Sequence, residues 1–399
     1  MDSIRSSNGR NALAQVFSVC PRCKGWSTPK SQRRGSASAL GVVMIGVMAV
    51  ILGMTVDLGY IHVSQSELKR TSDAAALAAC WELFDAKVAG VSDENAAAQV
   101  TQSANAFSSM NRVARSAPQL SGQSDDIQLG HFDAATNQFT MDSSADINAV
   151  RVSIHRQHGT NGEVPLFFGT VLGRQSQPMS STSTAALIHN ISGFYTPPTQ
   201  SETIDLLPFA LDEITWHAVV AGQTEDAFSW QDDRLTSAPN GKHECNLYPQ
   251  GTGSPGNCGT VDIGSSNNST KDIARQILSG ISRDDLLIMS DDFEFNSDDE
   301  LFLNGDTGIS AGVKDELQSI VGQTRIIPVF REVTGNGNNA SYKIVKFVGV
   351  RILEVKLTGR MNQKRLIVEP APIVARHARI NLASQSSSDF VYTPVMLVK

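Results

Sequence analysis

Hydrophobic and polar positions fall into three successive patterns along the chain. The first is an uncharged run of 22 residues from Gly35 to Val56, Gly-Ser-Ala-Ser-Ala-Leu-Gly-Val-Val-Met-Ile-Gly-Val-Met-Ala-Val-Ile-Leu-Gly-Met-Thr-Val. As a helix it would be roughly 33 Å long, enough to cross a hydrocarbon core of about 30 Å. A secretory leader has a shorter apolar stretch ending in a small-x-small cleavage site, whereas this run passes into Asp57-Leu-Gly-Tyr, so the pattern predicts a retained anchor. Ala37 and Gly41, and Ala49 and Gly53, stand four residues apart, a small-residue spacing that permits close helix contact in lipid and a homo-oligomer through the span.

The second pattern is helical and amphipathic. Leu58, Ile61, Leu68, Ser72, Ala75, Ala76, Ala79 and Leu83 recur at helical spacing without an intervening Pro, so the membrane helix is predicted to continue as a long spine. The stripe is large near the apolar run and small further on. It fits an Ala-rich helix packed on its own domain and equally a spine docked on neighbouring helices in an assembly; periodicity does not separate the two. Ser92-Asp-Glu-Asn95 then starts a second Ala-rich helix reaching about Met110, because Ser before acidic residues suits a helix N-terminus.

The third pattern is short and alternating. Ile127–Phe132, Gln138–Met141, Ala149–His155 and Met179–His189 read as strands of a small sheet packed on the helices. Ile191–Glu202, with Gly193, Pro197 and Pro198, reads as a linker. Beyond it, helices are expected at Asp272–Ile281 and Ala311–Val321, and strands at Arg325–Phe330, Tyr342–Leu357, Arg365–Val368 and Val391–Val398. Gly335-Asn-Gly-Asn-Asn supplies hairpin chemistry between two of these strands. Tyr342–Leu357 is apolar densely enough to be buried on both faces over part of its length. The fold class is therefore α+β. A cytoplasmic basic tail (1–34) and a transmembrane helix (35–57) precede a helical spine with a small sheet (58–190). A linker (191–202) then leads to a C-terminal α+β domain (203–399).

Charge fixes the expected orientation. Residues 1–34 carry seven Lys/Arg against one Asp, whereas the rest of the 399-residue chain carries 26 against 39 Asp/Glu. Arg33 and Arg34 abut the span, which places the N-terminus in the cytoplasm by the positive-inside rule and exports the bulk of the chain. An acidic body argues against nucleic acid as a partner, because phosphate contacts need a basic face on the folded part.

Reactive residue types are sparse. Cys20-Pro-Arg-Cys23 lacks the four ligands of a structural zinc site and the strand and helix of a thioredoxin-type motif. Cys245 and Cys258 enclose a Gly- and Pro-rich segment on the exported side, where a disulfide would restrict the unfolded chain by about 3 kcal/mol. Cys80 is expected inside the Ala-rich packing. The eight histidines show no HExxH spacing, His155 and His158 being nearest to a pair. Gly251-Thr-Gly-Ser-Pro-Gly256 matches GxGxxG by letter only, since Pro255 interrupts the helix start that would bind pyrophosphate. Asp291, Asp292, Glu294, Asp298, Asp299 and Glu300 form an acidic stretch without EF-hand order. No GxSxG and no Walker A lysine is present, so neither an enzyme activity nor a cofactor has a motif.

Arg33-Arg34-Gly35, the apolar span, Val56-Asp57-Leu58-Gly59 and Leu68-Lys-Arg-Thr-Ser-Asp73-Ala74-Ala75-Ala76 together resemble the N-terminal Tad domain of bacterial Flp pilus-assembly proteins of the TadE/TadG kind. Asn148–Ile154, Val164-Pro-Leu-Phe-Phe-Gly-Thr-Val-Leu-Gly173 and Ser181–Ala186 resemble the segment C-terminal to that domain in TadG-related proteins. The resemblance implies a non-enzymatic single-pass envelope protein whose partners are other Tad/Flp pilus-machinery components. Pilins of this system are trimmed after a Gly with Glu five residues on; after Gly35 that position is Leu40, which favours an uncleaved anchor. Some TadG-like proteins carry a von Willebrand A metal site, Asp-x-Ser-x-Ser. Here Asp262, Ser265 and Ser266 form the nearest match, with Gly264 at the middle Ser and a poor strand before it. They supply an alternative reading as a metal-dependent adhesive module.

Overall fold

The computed structural model describes residues 36–399 except 121–125, 142–145, 232, 248–257, 265–268, 290–292, 308, 336–339, 361–362, 382–387 and 399. The chain forms two compact units, Met1–Met54 and Thr55–Lys399. In the first, the described residues open helix α1 (Ser36–Ala89), whose Leu40, Val42, Met44 and Ile45 are exposed. Among the described residues one helix is long and apolar enough to cross a membrane, with mean hydropathy 2.5 over its most apolar window. Its path as one continuous helix through Asp57 and beyond agrees with the sequence reading. It ends where Gly90 takes φ +69°, and Gly90 and Val91 donate to the Lys87 and Ala86 carbonyls, the paired bonds of a left-handed glycine cap.

The second unit takes in α1 from Thr55 onward, followed by helix α2 (Asp93–Met110) and the strands β1 (Ile127–Asp133), β2 (Gln138–Thr140), β3 (Ala149–Arg156) and β4 (Met179–Ala186). Alternation along β3 buries Val150, Val152 and Ile154 on one face, and β4 sets Ala185, Ser183 and Ser181 opposite them. That small face receives α1: Leu68, Ala75, Ala76, Ala79 and Leu83 are buried in one cluster with Val150, Val152, Ile154 and, from α2, Val100 and Ala104. Ala and Ser on both surfaces allow helix and sheet to approach closely. The stripe predicted for α1 is thus occupied within the chain. Leu58, expected on it, is exposed instead.

The remaining strands are β5 (Phe209–Asp212), β6 (Cys245–Asn246), β7 (Cys258–Val261), β8 (Leu301–Thr307), β9 (Thr324–Thr334), β10 (Ala340–Lys356) and β11 (Arg365–Pro370). Pairing runs β10–β8–β7–β5–β9 and returns to β10, a closed five-stranded ring that is antiparallel except at β5–β9, where Val329 lies opposite Leu211. The rest of β10 pairs with β11, and β11 with β6. One strand face contributes Ala210, Val261, Leu303, Ile326, Tyr342 and Phe347 to a core. The other contributes Phe209, Leu211, Ile327, Val329 and Val350, packed with Trp216 from α3 (Glu213–Val220), Ile273 and Ile277 from α4 (Thr270–Ser279) and Leu317 from α6 (Lys314–Ser319). A short α5 (Arg283–Ile288) starts with a capping box between Ser282 and Asp285. Burial on both faces of β10 is as the sequence predicts.

Three expectations need correction. Ile191–Phe194 is no linker: all four residues are buried in a strand paired with Ala378–Ile380, and Phe194 packs edge-on against Phe347 at 5.0 Å. Val391–Val398 is not one strand of the C-terminal domain. It divides, and β12 (Met396–Val398) pairs with β4 in the first sheet. Residues on both sides of the expected 190/203 boundary therefore share one compact unit. Finally, Gly-Asn-Cys-Gly-Thr-Val does contain a strand: β7 lies between β5 and β8, where ladder bonds from both neighbours override weak local propensity.

Candidate functional site

The residues singled out on α1 converge on contacts with the sheet and one loop. Asp57 directly follows the apolar run and is 6% exposed. Its Oδ1 accepts from the Phe167 N–H at 2.8 Å and its Oδ2 from the Phe168 N–H at 2.9 Å. The Tyr60 ring meets Phe167 edge-on at 5.1 Å. One helical turn of Leu166–Leu172 is thereby tied to α1, since a carboxylate accepting two backbone N–H bonds is a strong, directional anchor.

Two glycines make this loop possible. A Cβ on Gly169 would stand 2.5 Å from the Arg174 carbonyl oxygen, and Gly173 sits at φ +80°, a conformation that costs other residues. The loop closes through the Arg174 N–H to the Gly169 carbonyl and the Leu166 N–H to the Gln175 carbonyl. Residue patterns give this segment no role of its own. Its signal in the sequence is the resemblance carried by Val164–Gly173 as a whole, with Phe167-Phe168 at its centre.

Further along α1, Asp73 Oδ1 accepts from Lys69 Nζ at 2.6 Å and from Ser183 Oγ at 2.7 Å. Ser72 Oγ shares hydrogen bonds with Ser181 Oγ at 2.9 Å and Ser183 Oγ at 2.6 Å, and Gln65 Nε2 donates to the Ser180 carbonyl. Leu68, Ala75 and Ala76 are fully buried, Ala74 is half-buried, and Gly59 is exposed with open space around it. Asp57, Leu68, Asp73, Ala75 and Ala76 therefore act together as a helix-to-sheet latch. Arg33 and Arg34 lie outside the described residues. Cys80 is buried beneath the same face, and burial pushes its thiol up to about 12.

The sequence-predicted chemistry elsewhere does not converge. Cys245 is a free, buried thiol, raised to about 12 by burial. Its strand β6 is separated from β7, which carries Cys258, by at least three strands, so the expected Cys245–Cys258 bridge is not formed; the Cys258 side chain itself is outside the described residues. Asp262 Oδ2 accepts from Asn304 Nδ2 at 3.3 Å, while Ser265 and Ser266 lie outside the described residues, as do the Gly251–Gly256 run and the Cys20/Cys23 pair. Glu294 is engaged by Arg379 and Ser192, and Glu300 by Lys343 at 3.2 Å. Among the described residues no group of three or more His, Cys, Asp or Glu could hold a metal ion.

A cleft of about 880 Å³ lies beside the last turns of α1, lined by Trp81, Phe84, Glu202, Arg325, Arg351 and His377 among others. Arg325 is buried and donates to the Thr324 carbonyl and Gln323 Oε1. Burial holds its guanidinium below the ordinary arginine range, against the opposing pull of Asp205. Glu202 lies 3.7 Å from His377. The cleft thus carries charges of both signs between apolar walls.

Residues 35–99 match the family model described as putative Flp pilus-assembly, TadE/G-like, and residues 74–185 match the one described as putative Tad-like Flp pilus-assembly. Together the two matches cover residues 35–185, a Tad-like region similar to Flp pilus-assembly domains. No curated protein and no solved structure matches the chain. The Tad region runs from the start of the apolar span to β4 and so contains both halves of the latch: Asp57 with the Phe167–Phe168 loop, and Ser72 and Asp73 with Ser181 and Ser183.

Proposed function

We propose that this protein is a non-enzymatic, single-pass anchor of the bacterial inner membrane that serves Flp-type pilus assembly, with its N-terminus in the cytoplasm and Thr55–Lys399 exported. The observation that carries this reading is the Tad region itself, in which a membrane-compatible helix runs without interruption into a helix latched onto its own sheet.

The stripe of Ala75, Ala76 and Ala79 is already buried, so contacts with other pilus-machinery proteins fall to other surfaces, among them the cleft beside Trp81 and Arg325. The metal-dependent adhesive alternative gains no support from Asp262, whose carboxylate is engaged by Asn304. The test is pilin in sheared surface filaments, by immunoblot, from wild-type cells and a strain lacking this gene. Loss of surface pilin with cell-associated pilin retained supports an assembly role; unchanged filaments reject it.

A further inference from the structure

The latched loop carries a surface that the protein leaves uncovered. Phe167 is 55% exposed, Phe168 47%, Val171 70% and Leu172 58%. These four large apolar side chains lie within six consecutive residues, around a single 3-10 turn over Gly169–Leu172. Monomeric proteins seldom present such a patch without a partner.

Its position decides what covers it. Asp57 follows Val56, the end of the uncharged run, on the same helix, so its Cα is only about 1.5 Å further along the axis. Both oxygens of its carboxylate are bonded to the backbone N–H groups of Phe167 and Phe168. The loop is therefore held at the level where the span ends. Thr170 and Arg174 are exposed beside the apolar side chains, and aromatic rings flanked by a basic side chain suit the boundary between acyl chains and phosphate headgroups.

The geometry points to this loop as a second membrane contact, in which Phe167, Phe168, Val171 and Leu172 enter the lipid–water interface of the leaflet that α1 leaves. The inference rests on Gly35–Val56 being a membrane span. It makes the attachment two-point: the span holds the protein in the bilayer, and the loop adds a contact with its surface. Gly169 and Gly173 serve it by keeping the turn tight enough to present all four side chains together.

The test uses the full chain carrying Cys20→Ser and Cys23→Ser, reconstituted in phosphatidylcholine–phosphatidylglycerol vesicles, with a nitroxide at Val171→Cys. Val47→Cys in the span and the exposed Met141→Cys just past β2 are the references, and the unsubstituted parent corrects for labelling of native cysteines. The expected result is an oxygen-to-nickel-chelate collision ratio at Val171 several-fold above that at Met141 and approaching that at Val47. Introducing Asp57→Ala should return Val171 to the Met141 value while Val47 stays in lipid. A wild-type Val171 ratio equal to that of Met141, with Val47 in lipid, overturns the inference and leaves the anchor standing. Shielding of Val171 from both reagents marks a protein contact, a second copy or another component, and also overturns it. Water exposure at Val47 overturns the span itself and the inference with it.

Discussion

Met396 lies opposite Ala186 across an antiparallel pair. The strand after the C-terminal ring thus covers the edge of β4 that β3 leaves open, and β4 is the strand whose Ser181 and Ser183 hold α1. Deleting Val395–Lys399 should therefore loosen α1 on its sheet, although those residues are more than 300 positions from it in sequence. Hydrogen exchange on the detergent-solubilised chain should show faster exchange in β4 and in Leu68–Leu83, with the ring strands little changed. Faster exchange confined to the ring would contradict this.

The helix-to-sheet latch leaves no room for larger side chains. Ala76 is fully buried, so Ala76→Leu should cost about 1–3 kcal/mol by overpacking. Ser72→Ala removes a hydroxyl shared by two buried serines and should cost about 1–2 kcal/mol. Urea unfolding of each variant checks both. A neutral Ala76→Leu would mean that this face of α1 opens in solution.

His189 makes the fold sensitive to mild acid. Burial holds its imidazolium below the ordinary histidine range; Asp146 and Asp389 oppose that and His131 and Lys87 assist it. A folded value below the unfolded one means that the unfolded chain binds the proton more readily. Stability from this group is complete above the unfolded value, near pH 6.5, and falls as pH drops from there toward the folded value. Unfolding at pH 7.5 and pH 5 should show lower stability at pH 5, and His189→Gln should reduce the difference. An equal difference in the variant would assign the loss to other groups.

Cys80 and Cys245 are both buried with thiols raised to about 12, so little thiolate is available to react. Mass spectrometry after alkylation at pH 8 should find both unmodified in the native chain and both modified after unfolding without reductant. A peptide linking Cys245 to Cys258 would contradict the strand arrangement.

Much of the Tad region is legible in the sequence because its signals are local. The apolar run, the helical stripe from Leu68 to Leu83 and the alternation in Ala149–His155 each follow from periodicity within a few turns or residues. Periodicity does not say what the stripe packs against. That depends on Ser181 and Ser183, more than 100 residues away, whose value lies in being small and hydroxylated on the buried face of β4. Likewise Asp57 is recognisable as a motif residue, but its partners are backbone N–H groups at Phe167 and Phe168, and no side-chain pattern announces a backbone donor. In the ring, Cys258–Val261 reads poorly as a strand because its strand character comes from neighbours on both sides rather than from its own residues. Asp212, whose side chain accepts the Thr215 N–H at the start of α3, is a readable helix start that periodicity alone passes over.

On the proposed function, Thr55–Lys399 is exported and works in pilus assembly only while the span holds it in the membrane. The most direct measurement is pilin in sheared surface filaments from a strain lacking this gene and complemented in two ways. One copy is the full chain, and the other has residues 1–54 replaced by a cleavable secretory leader that releases Thr55–Lys399. The account predicts restored filaments with the first and none with the second, at equal amounts of exported protein. Filaments restored by the released body would contradict it.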